Sequence, residues 1–168
     1  VGGMIGFTFL GPLGALIGSV IGSRMSGNSV RRKNPNNFDH QLAFFAALFA
    51  CLAKIAKADG QVTSDEIKKI EDFISHKFNL DGEQRDFAIN IFQKAKDDKV
   101  SFDAYAKQLA NLLKSSPNSL VIFYELLFEL AMADGVLHPN EEKLLKRVPR
   151  IFGFSDAIYD QLFQKYGL

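Results

Sequence analysis

The sequence predicts an all-α protein of about seven short helices in a compact pseudo-two-fold bundle, preceded by a glycine-rich, transmembrane-like helix. From Phe38 onward, apolar residues recur every three or four positions, and no alternating strand pattern appears. Residues 1–23 carry no charge at all. A short acidic phrase occurs twice, each time after an apolar run and before an amphipathic one, which indicates a duplicated helix–loop–helix unit.

Residues 1–25 are predicted to form a membrane-anchor helix. Seven of the first 23 residues are glycine. A helix over this run is about 34 Å long, enough to cross a hydrocarbon core of about 30 Å. Gly14, Gly18 and Gly22 fall on one face, at the spacing through which two membrane helices approach closely and dimerise. Basic residues follow the run, which predicts a single pass with the rest of the chain in the cytoplasm.

The alternative for this segment is a glycine-rich arm that packs on the domain or is disordered, because Gly and Pro12 weaken a helix in water. A polar and basic linker is expected over residues 26–37, and the helical domain over residues 38–168.

Seven helices are expected in the domain, with boundaries set by capping residues, Pro and Gly. They cover residues 38–57, 64–78, 82–97, 102–114, 117–133, 139–152 and 156–166. Pro149 is expected to kink or shorten the sixth of these helices. Asp97, Asp98 and Lys99 are expected to form a solvated helix end.

The repeated phrase supplies the candidate site residues. Its two copies run from Ala58 to Glu66 and from Ala133 to Glu141, and Ala, Asp, Gly and Glu match at a constant offset. Each copy thus carries an Asp and a Glu, and tight loops could bring the carboxylates together. Oxygen ligands of this kind suit hard divalent cations. The candidate metal ligands are Asp59, Glu66, Asp134 and Glu141.

A purely structural interpretation of the same residues stays open. Thr63 and Glu66 have the spacing of a capping box, and Glu141 occupies the same slot behind His138 and Pro139. The Asp residues could bond nearby backbone N–H groups. Neither copy has the number of ligand positions that an EF-hand loop requires.

Composition excludes several other function classes. The net charge is +1, so the clustered basic face that nucleic-acid binding needs is not expected. The single Cys51 excludes a disulfide within the chain. No nucleophile–base signature and no strand-borne phosphate loop is found, so the chain is not expected to be an enzyme.

The paired phrases, Lys57-Ala58-Asp59-Gly60 with Glu66 and Met132-Ala133-Asp134-Gly135 with Glu141, resemble the TerB family of tellurite-resistance proteins. The resemblance covers roughly residues 38–166. It implies an all-helical fold with internal two-fold pseudo-symmetry, and acidic residues that bind a divalent metal, here Ca²⁺ or Zn²⁺.

The glycine spacing from Gly11 to Gly22, with Met25 after it, resembles the membrane segment of DjlA-type, DnaJ-like co-chaperones. That resemblance implies a bacterial inner-membrane anchor, a homodimer, and a DnaK-type chaperone as partner if a J domain follows. No His-Pro-Asp motif occurs in these residues. We therefore expect a regulatory or interaction module of such a co-chaperone. The alternatives are a metal-binding stress protein and a purely structural dimerisation domain.

Overall fold

The computed structural model describes residues 11–24, 35–58, 60, 62–132 and 137–166. This part of the chain contains eight helices and no strand, which confirms the all-α prediction. The helices are α1 (Pro12–Arg24), α2 (Pro35–Lys57), α3 (Ser64–Phe78), α4 (Gly82–Asp97), α5 (Phe102–Leu112), α6 (Pro117–Ala131), α7 (Pro139–Phe152) and α8 (Ala157–Tyr166). The seven helices of the domain match their predicted positions to within a few residues.

Helix α2 lies at the centre of the bundle. Every residue from 46 to 53 is buried, including small side chains on several faces of the helix. A helix that is apolar all round belongs in a core, and alanines let neighbouring helices approach closely. Helices α4, α5 and α6 pack against α2. Cys51 is fully buried there, and the burial raises the pKa of its thiol.

Aromatic rings join α2 to both halves of the domain. Phe44 meets Phe123 of α6 edge-on, with ring centroids 5.5 Å apart. Phe45 meets Phe78 at the end of α3 in the same way, also at 5.5 Å. Phe123 in turn contacts Phe152 of α7. Such pairs add to the burial of large apolar area, so the high phenylalanine content serves the core.

Helix α7 passes through Pro149 and ends at Phe152, its predicted last residue, so the proline does not end the helix early. A proline in a helix cannot donate to the carbonyl four residues earlier, here Leu145. The buried Tyr124 hydroxyl of α6 donates to that carbonyl instead, at 2.8 Å. The hydrogen bond that the proline removes is therefore replaced from a neighbouring helix.

The two copies of the helix–loop–helix unit are α2–α3 and α6–α7, as the repeat predicts. The helices that follow the loops differ in depth. Leu145, Val148, Pro149 and Phe152 are buried on α7. Among the described side chains of α3, only Ile74 is buried. The second copy is thus built into the core, while α3 lies at the periphery.

The predicted membrane-spanning helix is not confirmed. Helix α1 has 13 residues and packs against α2, α4 and α5. Leu13, Leu16, Ile17 and Val20 are buried in the domain core. No helix within the described ranges is both long and apolar enough to cross a membrane. Residues 1–10 and 25–34, which hold much of the predicted anchor and linker, lie outside those ranges.

Candidate functional site

The end of α2, before the first acidic loop, contacts the start of α7, after the second. The side-chain amide of Asn140, at the start of α7, donates to the carbonyl of Ala58, at the end of α2, at 3.1 Å. Asn140 belongs to the second copy of the repeated phrase and Ala58 to the first. One hydrogen bond thus joins residues that are 82 positions apart in the chain, and it brings the copies together.

The described part of the first loop explains one glycine of the phrase. The N–H of Gly60 donates to the Lys57 carbonyl at 2.9 Å, and Gly60 has a φ of 120°. A residue with a side chain is strained in this conformation, so glycine lets α2 end in a tight turn. Helix α3 then begins where predicted, because the N–H of Ile67 donates to the Thr63 carbonyl at 3.0 Å.

In the second loop, Glu141 acts as a helix cap. Its Oε1 accepts the backbone N–H of His138 at 3.0 Å, and Pro139 occupies the first turn of α7. The carboxylate also lies near the positive end of the helix dipole, where negative charge is stabilising. The capping role expected for the second copy is therefore confirmed.

The metal-ligand prediction is not tested. Asp59 and Asp134 lie outside the residues that the structure describes, and so does the side chain of Glu66. Within the described ranges, no three His, Cys, Asp or Glu side chains converge as a metal site would require. Glu141 is described, and one of its oxygens is engaged in the cap. A cation shared by the loops would therefore need ligands from residues that the structure does not describe, such as Asp59 and Asp134.

A polar network that the sequence did not reveal lies just before the first loop. Lys54 of α2 pairs with the Asp98 carboxylate at 2.7 Å, and the Lys54 side chain is mostly buried, with 13% exposed. Asp98 also accepts the backbone N–H of Val100 at 3.0 Å and the hydroxyl of Tyr105. The expectation that Asp98 is a solvated helix end is wrong, because it joins the ends of α2 and α4 to α5.

Asp97, beside it, is exposed as expected. Lys96 and Lys57 hydrogen-bond its carboxylate and hold its pKa below the usual value. The Lys54–Asp98 pair joins residues 44 positions apart, so periodicity along one helix could not find it.

Tyrosine hydroxyls form a second set of links between elements. All four tyrosines of the chain donate to an oxygen atom. Their acceptors belong to Asp98, Leu145, Glu142 and Glu125. Burial, with a nearby carboxylate in most cases, raises the pKa of every one of these phenols. The four hydroxyls therefore stay neutral donors well above neutral pH.

The paired loops, the two helix–loop–helix units and the surrounding bundle agree with one family. A family model described as tellurite resistance protein TerB matches residues 45–164. The chain belongs to the TerB family. The matched range runs from α2 into α8 and includes both acidic loops.

Similar full-length proteins extend this relationship beyond the TerB region. The co-chaperone protein DjlA of Photobacterium profundum is 32% identical, over 96% of this chain and 62% of that protein. DjlA of Coxiella burnetii is 28% identical over 98% of the chain and 65% of the relative. DjlA of Escherichia coli K12 is 29% identical over 90% and 56%. The chain thus spans between about half and two thirds of these relatives. No solved structure matches it.

The predicted dimerisation face lies on α1. Gly18 is exposed, and a Cβ built on it would meet nothing within 4 Å. Gly14 is half-buried, and the surroundings of Gly22 lie outside the described side chains. The domain packs on the leucine-containing face of α1, so the bundle does not cover Gly18.

Proposed function

We propose that this TerB-family chain is a non-enzymatic regulatory and interaction module of a membrane-anchored co-chaperone of the DjlA type. The extent of the similarity is the observation that carries the proposal. Co-chaperone protein DjlA of P. profundum aligns with 96% of the chain, so α1 and the helical domain both have counterparts in that relative. The TerB match alone would account only for residues 45–164.

In this proposal the helical domain positions a chaperone-binding part of the full-length protein at the bacterial inner membrane. The partner is a DnaK-type chaperone, reached through a J domain outside these 168 residues. The domain suits a positioning role because its core is continuous from α1 to α8. A closely packed core of this kind has low compressibility, which favours a fixed arrangement of its helices.

Cell fractionation tests the proposal. An antibody raised against residues 38–168 is used on membrane and soluble fractions of source cells, and DnaK-type chaperone is sought in the same precipitate. We expect a band clearly larger than 18.7 kDa in the inner-membrane fraction, with the chaperone co-precipitating in the presence of ATP. A soluble band near 18.7 kDa without the chaperone contradicts the proposal.

Residues 1–23 provide the membrane contact in this proposal, and the face of Gly14, Gly18 and Gly22 provides a homodimer contact. The open space around Gly18 supports this use, because another helix can approach there closely. Replacing Gly18 with Leu is expected to reduce dimerisation in detergent micelles. Ser19→Leu is the matched control, since Ser19 is also exposed on α1 but lies about 100° around the helix from Gly18. Equal dimerisation of both variants would remove the glycine face from the proposal.

Binding of a divalent cation by the acidic loops is the second candidate function. The Asn140–Ala58 hydrogen bond favours it, because two loops held side by side can share one ion. Carboxylate oxygens suit Ca²⁺, and carboxylates also bind Zn²⁺. Calcium and zinc titrations of the wild type are compared with Asp59→Asn and Asp134→Asn variants. Loss of binding in both variants supports a shared ion. Absence of binding at millimolar metal leaves capping, or a purely structural dimerisation role, as the explanation of the loops.

A further inference from the structure

Helix α1 is docked on the domain in a way that depends on one face only. Among the described side chains of α1, those buried are Leu13, Leu16, Ile17 and Val20, with exposures between 0% and 6%. At the start of the helix, the N–H of Leu13 donates to Oε1 of Gln108, on α5, at 2.6 Å. This N–H belongs to the first turn, where helices have no internal acceptor, so the domain caps α1 from outside.

The outer face of α1 is unlike that of an ordinary surface helix. Residues 12–23 contain no charged side chain. Of residues 12–20, whose exposure the structure describes, Ala15, Gly18 and Ser19 are exposed. The Ser19 hydroxyl donates to the carbonyl of Leu16 in the same helix, at 2.9 Å. Moving this stretch into lipid would therefore leave no charge and no unsatisfied hydroxyl among its described side chains, which removes the main penalties of insertion.

Packing of α1 on the domain gives no reason for a glycine at position 18. Glycine inside a helix costs about 1 kcal/mol relative to alanine. Space for a larger residue is available, because an added Cβ would meet nothing. A short helix with several glycines is marginal in water by itself. Helix α1 is therefore stable only against an apolar surface, and two such surfaces are within its reach: the groove of the domain, and a bilayer.

We propose that α1 exchanges between the groove formed by α2, α4 and α5 and a lipid bilayer, so that docking on the domain competes with membrane insertion. This proposal rests on the membrane contact assigned above to residues 1–23. When α1 leaves, the groove that held its four apolar side chains becomes accessible. Membrane attachment is then coupled to exposure of an apolar surface on the domain.

Competition between docking and insertion of α1 makes a prediction that a permanently inserted anchor does not. Only the undocked fraction can insert, so the apparent affinity for lipid is reduced by the docking equilibrium. A substitution on the domain that weakens docking must strengthen membrane binding, although it changes no residue of α1. Gln108→Ala is such a substitution, because it removes the acceptor for Leu13. Losing a hydrogen bond of ordinary strength is expected to tighten vesicle binding about two- to tenfold.

The test measures binding of the 168-residue chain to neutral phosphatidylcholine vesicles, which keeps the basic residues after α1 from driving attachment. Gln164→Ala on α8 is the matched control, since this exposed glutamine lies on a helix remote from α1. Gln108→Asn is a second weakening variant that keeps an amide but shortens the side chain. Thermal unfolding checks that each variant is folded.

A fluorophore on Ser19→Cys reports where α1 is, because this position is exposed in the docked state and the buried Cys51 resists labelling. Aqueous iodide quenches the docked form, and nitroxide lipids quench the inserted form. We expect both Gln108 variants to bind more tightly than wild type and Gln164→Ala to match wild type. Insertion with equal affinity in all variants overturns the exchange and leaves the anchor intact. Absence of insertion in wild type and in every variant overturns both the exchange and the membrane contact of residues 1–23.

Discussion

The replacement of a missing helix hydrogen bond by Tyr124 makes a double-mutant prediction. Pro149 leaves the carbonyl of Leu145 without its usual donor, and the Tyr124 hydroxyl supplies one at 2.8 Å. Tyr124→Phe keeps the ring, which is fully buried and meets Phe128 edge-on. The substitution therefore removes only the donor, and it leaves a buried carbonyl unsatisfied. We expect a loss of about 2 kcal/mol in the free energy of unfolding.

The same substitution should cost less when residue 149 has its own N–H. In a Pro149→Ala background, the backbone N–H of the new alanine can donate to the Leu145 carbonyl as in a regular helix. Tyr124→Phe is then expected to cost less than about 1 kcal/mol, which gives a coupling of at least about 1 kcal/mol between the two sites. A loss of about 2 kcal/mol corresponds to a melting-temperature decrease of roughly 4–8 °C for a chain of this size.

The assay is urea unfolding of the four proteins of the cycle, followed by circular dichroism at constant m-value. Phe128→Leu serves as a control, because it disturbs the same aromatic cluster without touching the hydrogen bond. Its cost should be the same in both backgrounds. If Tyr124→Phe is equally destabilising with proline and with alanine at position 149, the hydroxyl does not compensate for the proline, and the reasoning is refuted.

Three further predictions concern the network, the glycines and the tyrosines. Asp98→Ala removes the acceptor of Tyr105 and the carboxylate that pairs with Lys54, which keeps only the backbone carbonyl of residue 98. This substitution should lower stability by about 2–3 kcal/mol in thermal unfolding, whereas Asp97→Ala, at the exposed neighbour, should leave the midpoint unchanged. Gly18→Ala should raise the free energy of unfolding by about 0.5–1 kcal/mol, because Gly18 is in a helix and an added Cβ meets nothing. Gly153→Ala should lower it by a similar amount, because Gly153 has a φ of 81°. A change in the same direction for both variants would contradict this reasoning. The phenol pKa values are higher in the folded chain than in the unfolded chain, so the protonated phenols stabilise the fold fully below about pH 10. This stabilisation is lost as the pH rises further. Alkaline unfolding and phenolate absorbance should therefore appear together above about pH 10.

The helices could be predicted well because their signals are local. Apolar spacing, Pro117 and Pro139 at first positions, and Ser101 as a cap all act within one turn, and the structure places the helix starts there. Boundaries without such a signal were less accurate: α2 begins three residues earlier than predicted, and α5 and α6 end two residues earlier. Pro149 was misleading because the compensating donor is on another helix, 21 residues distant from its acceptor.

Long-range polar contacts could not be predicted from the sequence for a related reason. Lys54 occurs in an apolar helix, and no acidic residue lies three or four positions from it. The sequence around Lys54 therefore does not indicate that its side chain is buried in an ion pair. Its partner Asp98 is contributed by the end of α4, and the pairing depends on how α2 and α4 pack. Charge patterning along one chain segment records only local pairs. Conversely, the repeated phrase correctly indicated that two equivalent loops exist, because duplication is visible without any knowledge of packing.

The position equivalent to Asn140 in the first copy is Asp65, and this difference allows a test of what joins the loops. Asn140 donates to the Ala58 carbonyl, whereas an aspartate there has no donor and its charge is repelled by the carbonyl oxygen. Asn140→Asp and Asn140→Ala both remove this donor, so each should lower stability by about 1 kcal/mol in metal-free buffer. The dipole of α7 offsets part of this loss for the aspartate.

Added calcium distinguishes the two explanations of the acidic loops. If the loops only cap helices, calcium leaves the stability of both Asn140 variants unchanged. If they hold a cation between them, the added carboxylate becomes an oxygen ligand, and calcium should raise the melting temperature of Asn140→Asp more than that of Asn140→Ala. A larger increase for the alanine variant would contradict the shared-cation explanation, because removing an oxygen ligand cannot strengthen calcium binding. The comparison needs only thermal unfolding with and without calcium, and it reports on the site without requiring the unknown partner.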